Sequence, residues 1–550
     1  MNDNFDVIVV GSGASAVHAG YPLVEAGLRV LMLDVGKHDG TYGSLVPRAS
    51  FVEIRRSDPQ QHRYLLGDRF EGIAFRGIGA AAQLTPPRQY VVEQSALLNP
   101  VRSDGFRAVE SFALGGLGAT WGAVAVPFRA SEFASWPITR ADLDAHYQIV
   151  ADRIGISGAK DDLDQHFADS RWHLHSPVEI DSNAETILKL YTKKRDKLNE
   201  AGFTLGRARL AVATELHRGR GPLEYHDMEF WSDGNRAVYR PQYTVEELRT
   251  RRNFVYRRDM LVRVFDHRPD GVIEVVAENL VTGLRERIAT QRLILAAGTL
   301  GTTRIVLRSL GLHGMRVPLL CNPYVYLACL NWRLVGQPVK DRRHSLCQLI
   351  ALVDAGDSGT ELLQAQLYSY RSLLTFRLVK ESPLAHRESI RLMKMMQSYL
   401  MAINVYHADR PDPQKYVELQ HDHNEHGDRL NIVYRVSEDV ARDQRLKERR
   451  IMRLFRKVGC LPLKTIRPVS GASLHYGGCI PMTNQERPLT TRPSGQLRDA
   501  PGVYLADGST FPDLPAQALT YTLMANANRI GVGLRDELLG VDSRAACSLT

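Results

Sequence analysis

The chain has 550 residues, 44% of them hydrophobic, and its 70 basic and 61 acidic side chains give a formal net charge of +9. This composition excludes a disordered chain, and the small basic excess, without a long basic tail, does not indicate nucleic acid or a membrane surface as a partner. The six scattered cysteines form no CxxC pair, and neither a secretory signal nor a long apolar run is present, so we expect a cytoplasmic protein without metal or disulfides.

The first predicted unit is a strand, a turn, a helix and a second strand. Residues 6–10 are apolar and largely β-branched, as in a buried strand, and they lead directly into Gly11. A helix is predicted over residues 16–26, and a second apolar strand over 28–33 ends on Asp34. Two strands joined by one helix in this way are expected to pair in parallel.

The remaining elements follow from the same kinds of pattern. Residues 37–110 have weak periodicity, and residues 111–125 are rich in glycine, which lets a backbone approach a ligand closely. The later predictions are helices at 140–154, 302–310, 385–400, 438–458 and 520–538, and strands at 254–256, 261–265, 272–277, 293–297, 324–330, 349–353, 366–374, 401–406, 430–434 and 503–506. The segment 320–435 suits an antiparallel sheet in a second domain.

The turn after the first strand matches a dinucleotide-binding pattern. It reads Gly11-Ser12-Gly13-Ala14-Ser15-Ala16. The first glycine permits the bend, the second lets the backbone reach a pyrophosphate, and the small Ala16 lets the helix pack close to the strand. The helix N-terminus adds amide donors, and Asp34 would accept hydrogen bonds from the adenosine ribose. These features alone do not separate FAD from NAD.

Five ordered motifs carry a resemblance to a known family. They are LGGLGATW at 114–121 and LILAAGTLGTTR at 293–304, then GASLHYGGCIPM at 471–482, GVYLADGSTFP at 502–512 and PAQALTYTLMANANRI at 515–530. Together with the first turn, they resemble the glucose–methanol–choline (GMC) oxidoreductase family. The resemblance implies an α/β fold with a discontinuous Rossmann-like FAD-binding domain (1–165, 241–318 and 465–541). An α+β substrate domain (166–240 and 319–464), built on an antiparallel sheet, would be inserted into it, and 542–550 would form a tail.

The resemblance also assigns expected cofactor contacts. The ADP half would lie on the first turn and Asp34, with Val262 at the adenine. The flavin half would contact Gly115, Gly116, Gly118, Thr120, Trp121, Ala297, Gly298, Asp507, Gly508, Ala518, Leu519 and Thr520. Thr120 stands where some relatives carry a histidine that attaches the flavin covalently, so the resemblance implies non-covalent FAD.

The expected catalytic pair is incomplete. His475 occupies the position of the family's catalytic histidine, and a pKa near neutrality suits a base for a hydroxyl proton. The family's second polar group would fall on Ala518, which cannot hydrogen-bond an alkoxide. Gln517 is the neighbouring candidate if its side chain turns toward the flavin. A polar group on the substrate, another residue of the inserted domain, or altered chemistry are the alternatives.

The sequence thus predicts an FAD-dependent enzyme that oxidises an alcohol group of a sugar or a specialised metabolite. Tyr406 and His407 are candidate polar residues of the substrate sheet, and the electron acceptor, oxygen or another, is open. A lyase-like flavoprotein is the alternative that Ala518 motivates, and an NAD(P)-linked dehydrogenase is the alternative that the turn alone allows. The basic helix at 438–458 is expected to pack on the domain through its apolar side chains, Leu446, Met452, Leu454, Phe455 and Val458.

Overall fold

The structure is a computed structural model and describes residues 5–71, 84–167, 173–232, 234–337, 344–355, 361–369, 379, 382–396, 398–423 and 427–541. The predicted tail at 542–550 and the end of the strand predicted at 366–374 lie outside these residues. The strands are β1 (Phe5–Val10), β2 (Val30–Leu33), β3 (Val101–Asp104), β4 (Phe203–Arg207), β5 (Phe254–Arg257), β6 (Met260–His267), β7 (Ile273–Asn279), β8 (Arg285–Leu295), β9 (Arg316–Pro318), β10 (Leu320–Cys321), β11 (Tyr324–Asn331), β12 (Leu349–Asp354), β13 (Leu362–Ser369), β14 (Leu400–Tyr406), β15 (Lys415–His421), β16 (Asp428–Tyr434), β17 (Cys460–Ile466), β18 (Tyr476–Gly477) and β19 (Val503–Leu505).

The α-helices are α1 (Ala14–Glu25), α2 (Phe51–Ser57), α3 (Gln61–Leu66), α4 (Ser95–Leu98), α5 (Ala141–Ile154), α6 (Asp164–Phe167), α7 (Ser182–Thr192), α8 (Arg195–Glu200), α9 (Pro241–Leu248), α10 (Thr299–Ser309), α11 (His386–Met396), α12 (Glu438–Lys457) and α13 (Thr520–Leu539). Local signals fix several of their ends. The Ser437 side chain accepts a hydrogen bond from the Val440 amide at the start of α12. Gly540 ends α13 in the left-handed region, at φ +64°. Within the described residues, no helix is long and apolar enough to cross a membrane.

The first sheet has seven strands and is assembled from distant parts of the chain. Its strand order is β5-β2-β1-β8-β7-β6, and β19 pairs with β8 as well. The pairs β1–β2, β1–β8, β2–β5 and β8–β19 are parallel, whereas β6, β7 and β8 pair antiparallel. The predicted parallel pair is therefore confirmed, and the carboxyl ends of five parallel strands, β5, β2, β1, β8 and β19, meet at one edge, where ligands of such sheets bind.

Helices cover the first sheet on both faces. On one face, Val9 and Met32 pack with Val17 of α1 and Ile530 of α13. On the other face, the core includes residues of α10 and of β15 and β16. Burial on both faces explains why these strands read as continuous apolar runs in the sequence.

The second sheet has six antiparallel strands in the order β17-β11-β14-β13-β12-β4. One face is apolar, and Leu327, Ile403 and Val405 pack there with Ile187 of α7 and Phe455 of α12. The other face carries the alternate residues of the same strands and lines a cavity. The predicted α/β fold with an antiparallel second sheet is confirmed by this architecture.

Several predicted elements differ from the observed ones. The strand predicted at 430–434 belongs to a separate four-stranded sheet in the order β3-β16-β15-β9. The helix predicted to reach residue 400 ends at Met396, because Leu400 already begins a strand. Leu446 of the basic helix is 55% exposed instead of packed, whereas Leu454 and Phe455 are buried as expected. The strands β4, β15 and β17 were not predicted, because charged residues or proline lie within them or directly beside their apolar residues.

Candidate functional site

One large cavity lies between the carboxyl edge of the first sheet and the polar face of the second sheet. Its volume is about 950 Å³, at the upper end of the range for small-molecule sites. All the sequence-predicted cofactor residues line it except Ala16 and Gly115. Ala16 is fully buried in the helix–sheet core, and the Gly115 amide donates to the Ser12 hydroxyl at 2.9 Å.

The glycine turn forms the nucleotide end of the cavity. Gly11 has φ +98°, and a Cβ there would lie 2.6 Å from the carbonyl oxygen of Ala296, so only glycine fits. A Cβ at Gly116 would lie 3.3 Å from the Cα of Gly13, so two backbone segments approach each other closely. Helix α1 begins directly after Gly13, and its free amides face a cradle of backbone that a phosphate group can occupy.

Asp34 is held at the end of β2 as a buried hydrogen-bond acceptor. Its Oδ2 accepts from the Ser12 hydroxyl at 2.5 Å and from the Tyr256 hydroxyl at 3.0 Å. Burial raises the pKa of this carboxyl to about 7, against the opposing effect of these hydrogen bonds. Sequence reasoning missed Tyr256, which is brought to Asp34 by the parallel pairing of β5 with β2, a contact across more than 200 residues.

A second helix N-terminus faces the middle of the cavity. Gly298, at φ +82°, precedes α10 and lines the cavity next to Ala297. Asp507 lies beside it, and its carboxylate accepts from the Thr302 hydroxyl at 2.5 Å and from the Ser509 amide at 3.0 Å. Burial raises the pKa of Asp507, and these donors favour its charged form. The central and C-terminal motifs are thus joined at one place, as the predicted site requires.

The imidazole of His475 faces the cavity where the two sheets meet. Its ring stacks on Tyr406, with 5.5 Å between ring centroids and 21° between planes. Its Nδ1 is buried and has no hydrogen-bond partner in the described part of the chain. Burial lowers the pKa of His475 to about 4, so the ring is neutral near pH 7 and can accept a proton.

Two sequence-predicted residues point away from the cavity. The side chain of Gln517 is fully buried, and its Nε2 donates to both carboxylate oxygens of Glu132, at 2.6 and 2.7 Å. The expectation that Gln517 completes the catalytic pair is therefore wrong, because adjacent residues in this segment face opposite directions and it is Ala518 that lines the cavity. The candidate His407 is also corrected, since it does not line the cavity and its Nε2 lies 3.1 Å from Glu448 of α12.

The second sheet contributes a row of polar side chains that sequence reasoning missed. Besides Tyr406, the cavity-lining residues of its strands include Tyr324, Tyr326, Gln366, Tyr368 and Asn404. They alternate with apolar residues along β11, β13 and β14, so the signal that could have found them is a period of two. Among the described residues, no cluster of three His, Cys, Asp or Glu side chains could hold a metal ion.

Comparison with known proteins supports the resemblance read in the sequence. Residues 405–527 match the family model described as GMC oxidoreductase. No curated protein matches the chain by sequence. Among solved structures, pyridoxine 4-oxidase from Mesorbium loti has the same fold, with a TM-score of 0.60 and 15% identity over 96% of this chain and 99% of that chain. The family match over residues 405–527 and the shared fold together confirm the resemblance to the GMC oxidoreductase family.

Proposed function

We propose that the protein is an FAD-dependent oxidoreductase that oxidises a CH–OH group of a small hydroxylated molecule to a carbonyl group. The observation that carries the proposal is the continuity of one cavity. It runs from the glycine turn and Asp34 at one end to a neutral His475 at the other. A dinucleotide held along the cavity would therefore place its flavin beside a proton acceptor.

The residues present fit FAD. Gly11 and Gly13 leave room for a pyrophosphate, Asp34 offers a buried acceptor to ribose hydroxyls, and two helix N-termini face the phosphate region. Thr120 and Trp121 would lie along the flavin, and Trp121 is fixed by donating its Nε1–H to the Tyr239 carbonyl at 2.6 Å. Bound flavin supplies a two-electron acceptor for the hydrogen on the substrate carbon.

His475 would act as the base in this reaction. Its neutral ring can take the proton of the substrate hydroxyl group, and the stack on Tyr406 holds the ring in place.

The polar sheet face supports a hydroxylated substrate. Tyr324, Tyr326 and Tyr368 offer phenols and flat rings, and Gln366 and Asn404 offer amides. This mixture suits a sugar or a specialised metabolite with a ring. Because pyridoxine 4-oxidase has a similar fold, an aromatic compound that carries a hydroxymethyl group belongs among the substrates to be tested.

A lyase-like or otherwise non-oxidative flavoprotein is the second candidate. Ala518 lines the cavity and offers no polar side chain, while Gln517 is bonded to Glu132 on the outside. If no other residue stabilises an alkoxide, the substrate oxygen lacks a second hydrogen-bonding group besides His475. Chemistry without net electron transfer is then favoured over alcohol oxidation.

The experiment is an anaerobic titration of the purified yellow protein with pyridoxine, benzyl alcohol, glucose, glucosamine and cholesterol, followed by flavin absorbance. Bleaching by one class supports oxidation and identifies the substrate class. Oxidised flavin with every compound favours the second candidate, and a colourless protein that binds NAD(P) contradicts both.

Replacement of His475 by Ala tests the base. The rate of flavin reduction should fall about 100-fold or more, with the flavin still bound. His62 is an exposed histidine on α3 outside the cavity, so His62→Ala is the matched control and should leave the rate unchanged. Undiminished activity in His475→Ala would remove the proposed role.

A further inference from the structure

The polar contact that Ala518 cannot provide has a candidate source on the second sheet. The cavity-facing residues of β11 and β14 include Tyr324, Asn404 and Tyr406. The adjacent residues Val325 of β11 and Val405 of β14 face the apolar core on the other side of the sheet. Because a strand fixes the direction of every second side chain, these polar groups stand on a rigid wall.

Strand register places Tyr406 next to both key positions of the site. Tyr406 lies opposite Gln364 on β13 and opposite Tyr324 on β11. The Oε1 atom of Gln364 accepts a hydrogen bond from the Ala518 amide at 3.3 Å. On the same wall, the ring of Tyr406 stacks on His475. Tyr406 thus contacts the imidazole and is one strand away from the residue that holds Ala518.

The ring of Tyr406 is fixed from both sides. Tyr324 stacks on it with 5.3 Å between centroids and 14° between planes, and His475 covers it at 5.5 Å. The side chain is only 8% exposed. A ring held between two others loses little freedom when it binds a substrate, so its hydroxyl group is preorganised.

The hydroxyl group of Tyr406 is set up as a donor. A hydrogen bond with the Asn404 side chain acts to lower the pKa of Tyr406. Burial outweighs this contact and raises the pKa of Tyr406 well above its usual value, so the phenol keeps its proton near neutral pH. No described residue accepts that proton in a hydrogen bond. The hydrogen is therefore left for a molecule in the cavity.

We propose that Tyr406 is a second catalytic residue, whose hydroxyl group donates a hydrogen bond to the alcohol oxygen of the substrate while His475 accepts the proton of the same alcohol. The inference rests on the alcohol oxidation proposed above. The O–H bond breaks and its proton goes to the imidazole, the C–H bond breaks and its hydrogen leaves with both electrons to the flavin, and the electron pair left on oxygen forms the carbonyl bond. Tyr406 keeps its own proton throughout and stabilises the negative charge that develops on oxygen.

Tyr406→Phe is the direct test, because it keeps the ring stack and removes only the oxygen atom. With the alcohol that bleaches the wild-type flavin, the rate constant for anaerobic flavin reduction should fall about 100-fold. The affinity of the oxidised enzyme for the carbonyl product, measured by the change in flavin absorbance on titration, should fall about tenfold. Flavin content and melting temperature should match the wild type.

Tyr416→Phe is the matched control. Tyr416 is a partly buried tyrosine on the four-stranded sheet, outside the cavity, with Arg316 over its ring. Loss of its phenol oxygen should leave flavin reduction and product binding unchanged. The double variant Tyr406→Phe, Ala518→Asn should recover part of the lost rate, because it returns a donor to the position that Ala518 leaves without one.

The outcomes separate the inference from the function on which it rests. A wild-type flavin that no alcohol reduces would overturn both. A wild-type flavin that an alcohol reduces, together with a Tyr406→Phe rate within about threefold of it, would overturn the role of Tyr406 and leave the alcohol oxidation standing. A loss of rate in Tyr406→Phe with unchanged product affinity would also contradict a hydrogen bond to the substrate oxygen.

Discussion

The lowered pKa of His475 has a direct effect on the pH dependence of turnover. Burial lowers this pKa from 6.5 to about 4, so the neutral, proton-accepting form persists well below the usual range. We expect kcat/KM to stay level as pH falls from 8 to about 5 and to decline only near the lowered pKa. A steady-state pH profile measured with FAD in excess checks this. An acid limb centred near 6.5 would mean that the imidazole is solvated in the working enzyme.

Gln517 is expected to support the fold and not the chemistry. Its amide bonds the buried carboxylate of Glu132, which also accepts from the Arg129 amide at 2.7 Å. Gln517→Ala should leave kcat and KM unchanged and reduce the free energy of unfolding by about 1–3 kcal/mol, because a buried carboxylate loses a donor. Urea denaturation and steady-state kinetics measure the two effects. A fall in kcat with unchanged stability would return Gln517 to the active site.

At the scale of elements, the close contact of the first and last long helices is the most sensitive feature. Gly531 of α13 faces α1, and a Cβ there would lie 2.1 Å from the Ala19 carbonyl oxygen and 2.9 Å from Pro22. Gly531→Ala should therefore force the helices apart and cost about 1–3 kcal/mol of stability. Thermal unfolding measures the change.

The same helix provides a control for that substitution. Gly533 lies two residues further along, and a Cβ there would meet nothing within 4 Å. Gly533→Ala should stabilise the protein by about 0.4–1 kcal/mol, since alanine restricts the unfolded chain. Equal effects at the two positions would show that helix propensity, and not the contact with α1, controls stability here.

The elements that sequence reasoning predicted best are those whose pattern is local. The strand, turn and helix at residues 6–26 were placed within two residues, because an apolar run and a glycine turn lie side by side in the sequence. The contacts of Asp34 were only half predicted, because Tyr256 reaches it from another strand. The direction of Gln517 could not be predicted, since it depends on where Glu132 stands in the fold.

For the whole molecule, we expect cofactor binding in the cavity to stabilise the fold. The cavity lining comes from the N-terminal, central and C-terminal parts of the chain, so FAD would contact all of them. Adding FAD to apoprotein at 100 times its Kd should raise the free energy of unfolding by about 2.7 kcal/mol. Thermal shift measurements on the apoprotein, with and without FAD, detect the gain, and an absent shift would contradict FAD binding at this cavity.

This stabilisation is expected to depend on pH through Asp34. The carboxyl has a pKa raised to about 7 by burial, and ribose hydroxyls donate more strongly to its ionised form. FAD affinity should therefore rise as pH increases through about 7 and fall on the acid side. Asp34→Asn, which cannot ionise, should bind FAD more weakly and without this pH dependence.

The construction of the first sheet also dictates an order of events during synthesis. Strand β8 is flanked by β1, from the start of the chain, and by β19, some 200 residues after it. A ribosome delivers the chain from its N-terminus, so β1 cannot pair with β8 until residues 285–295 have emerged. The groove at the carboxyl ends of β1 and β8 stays open until residues 503–505 have emerged and β19 has paired with β8. Contacts so distant in sequence form slowly. Strand β1 therefore has only β2 beside it until residues 285–295 have emerged, and its open edge is the segment for which a chaperone would compete.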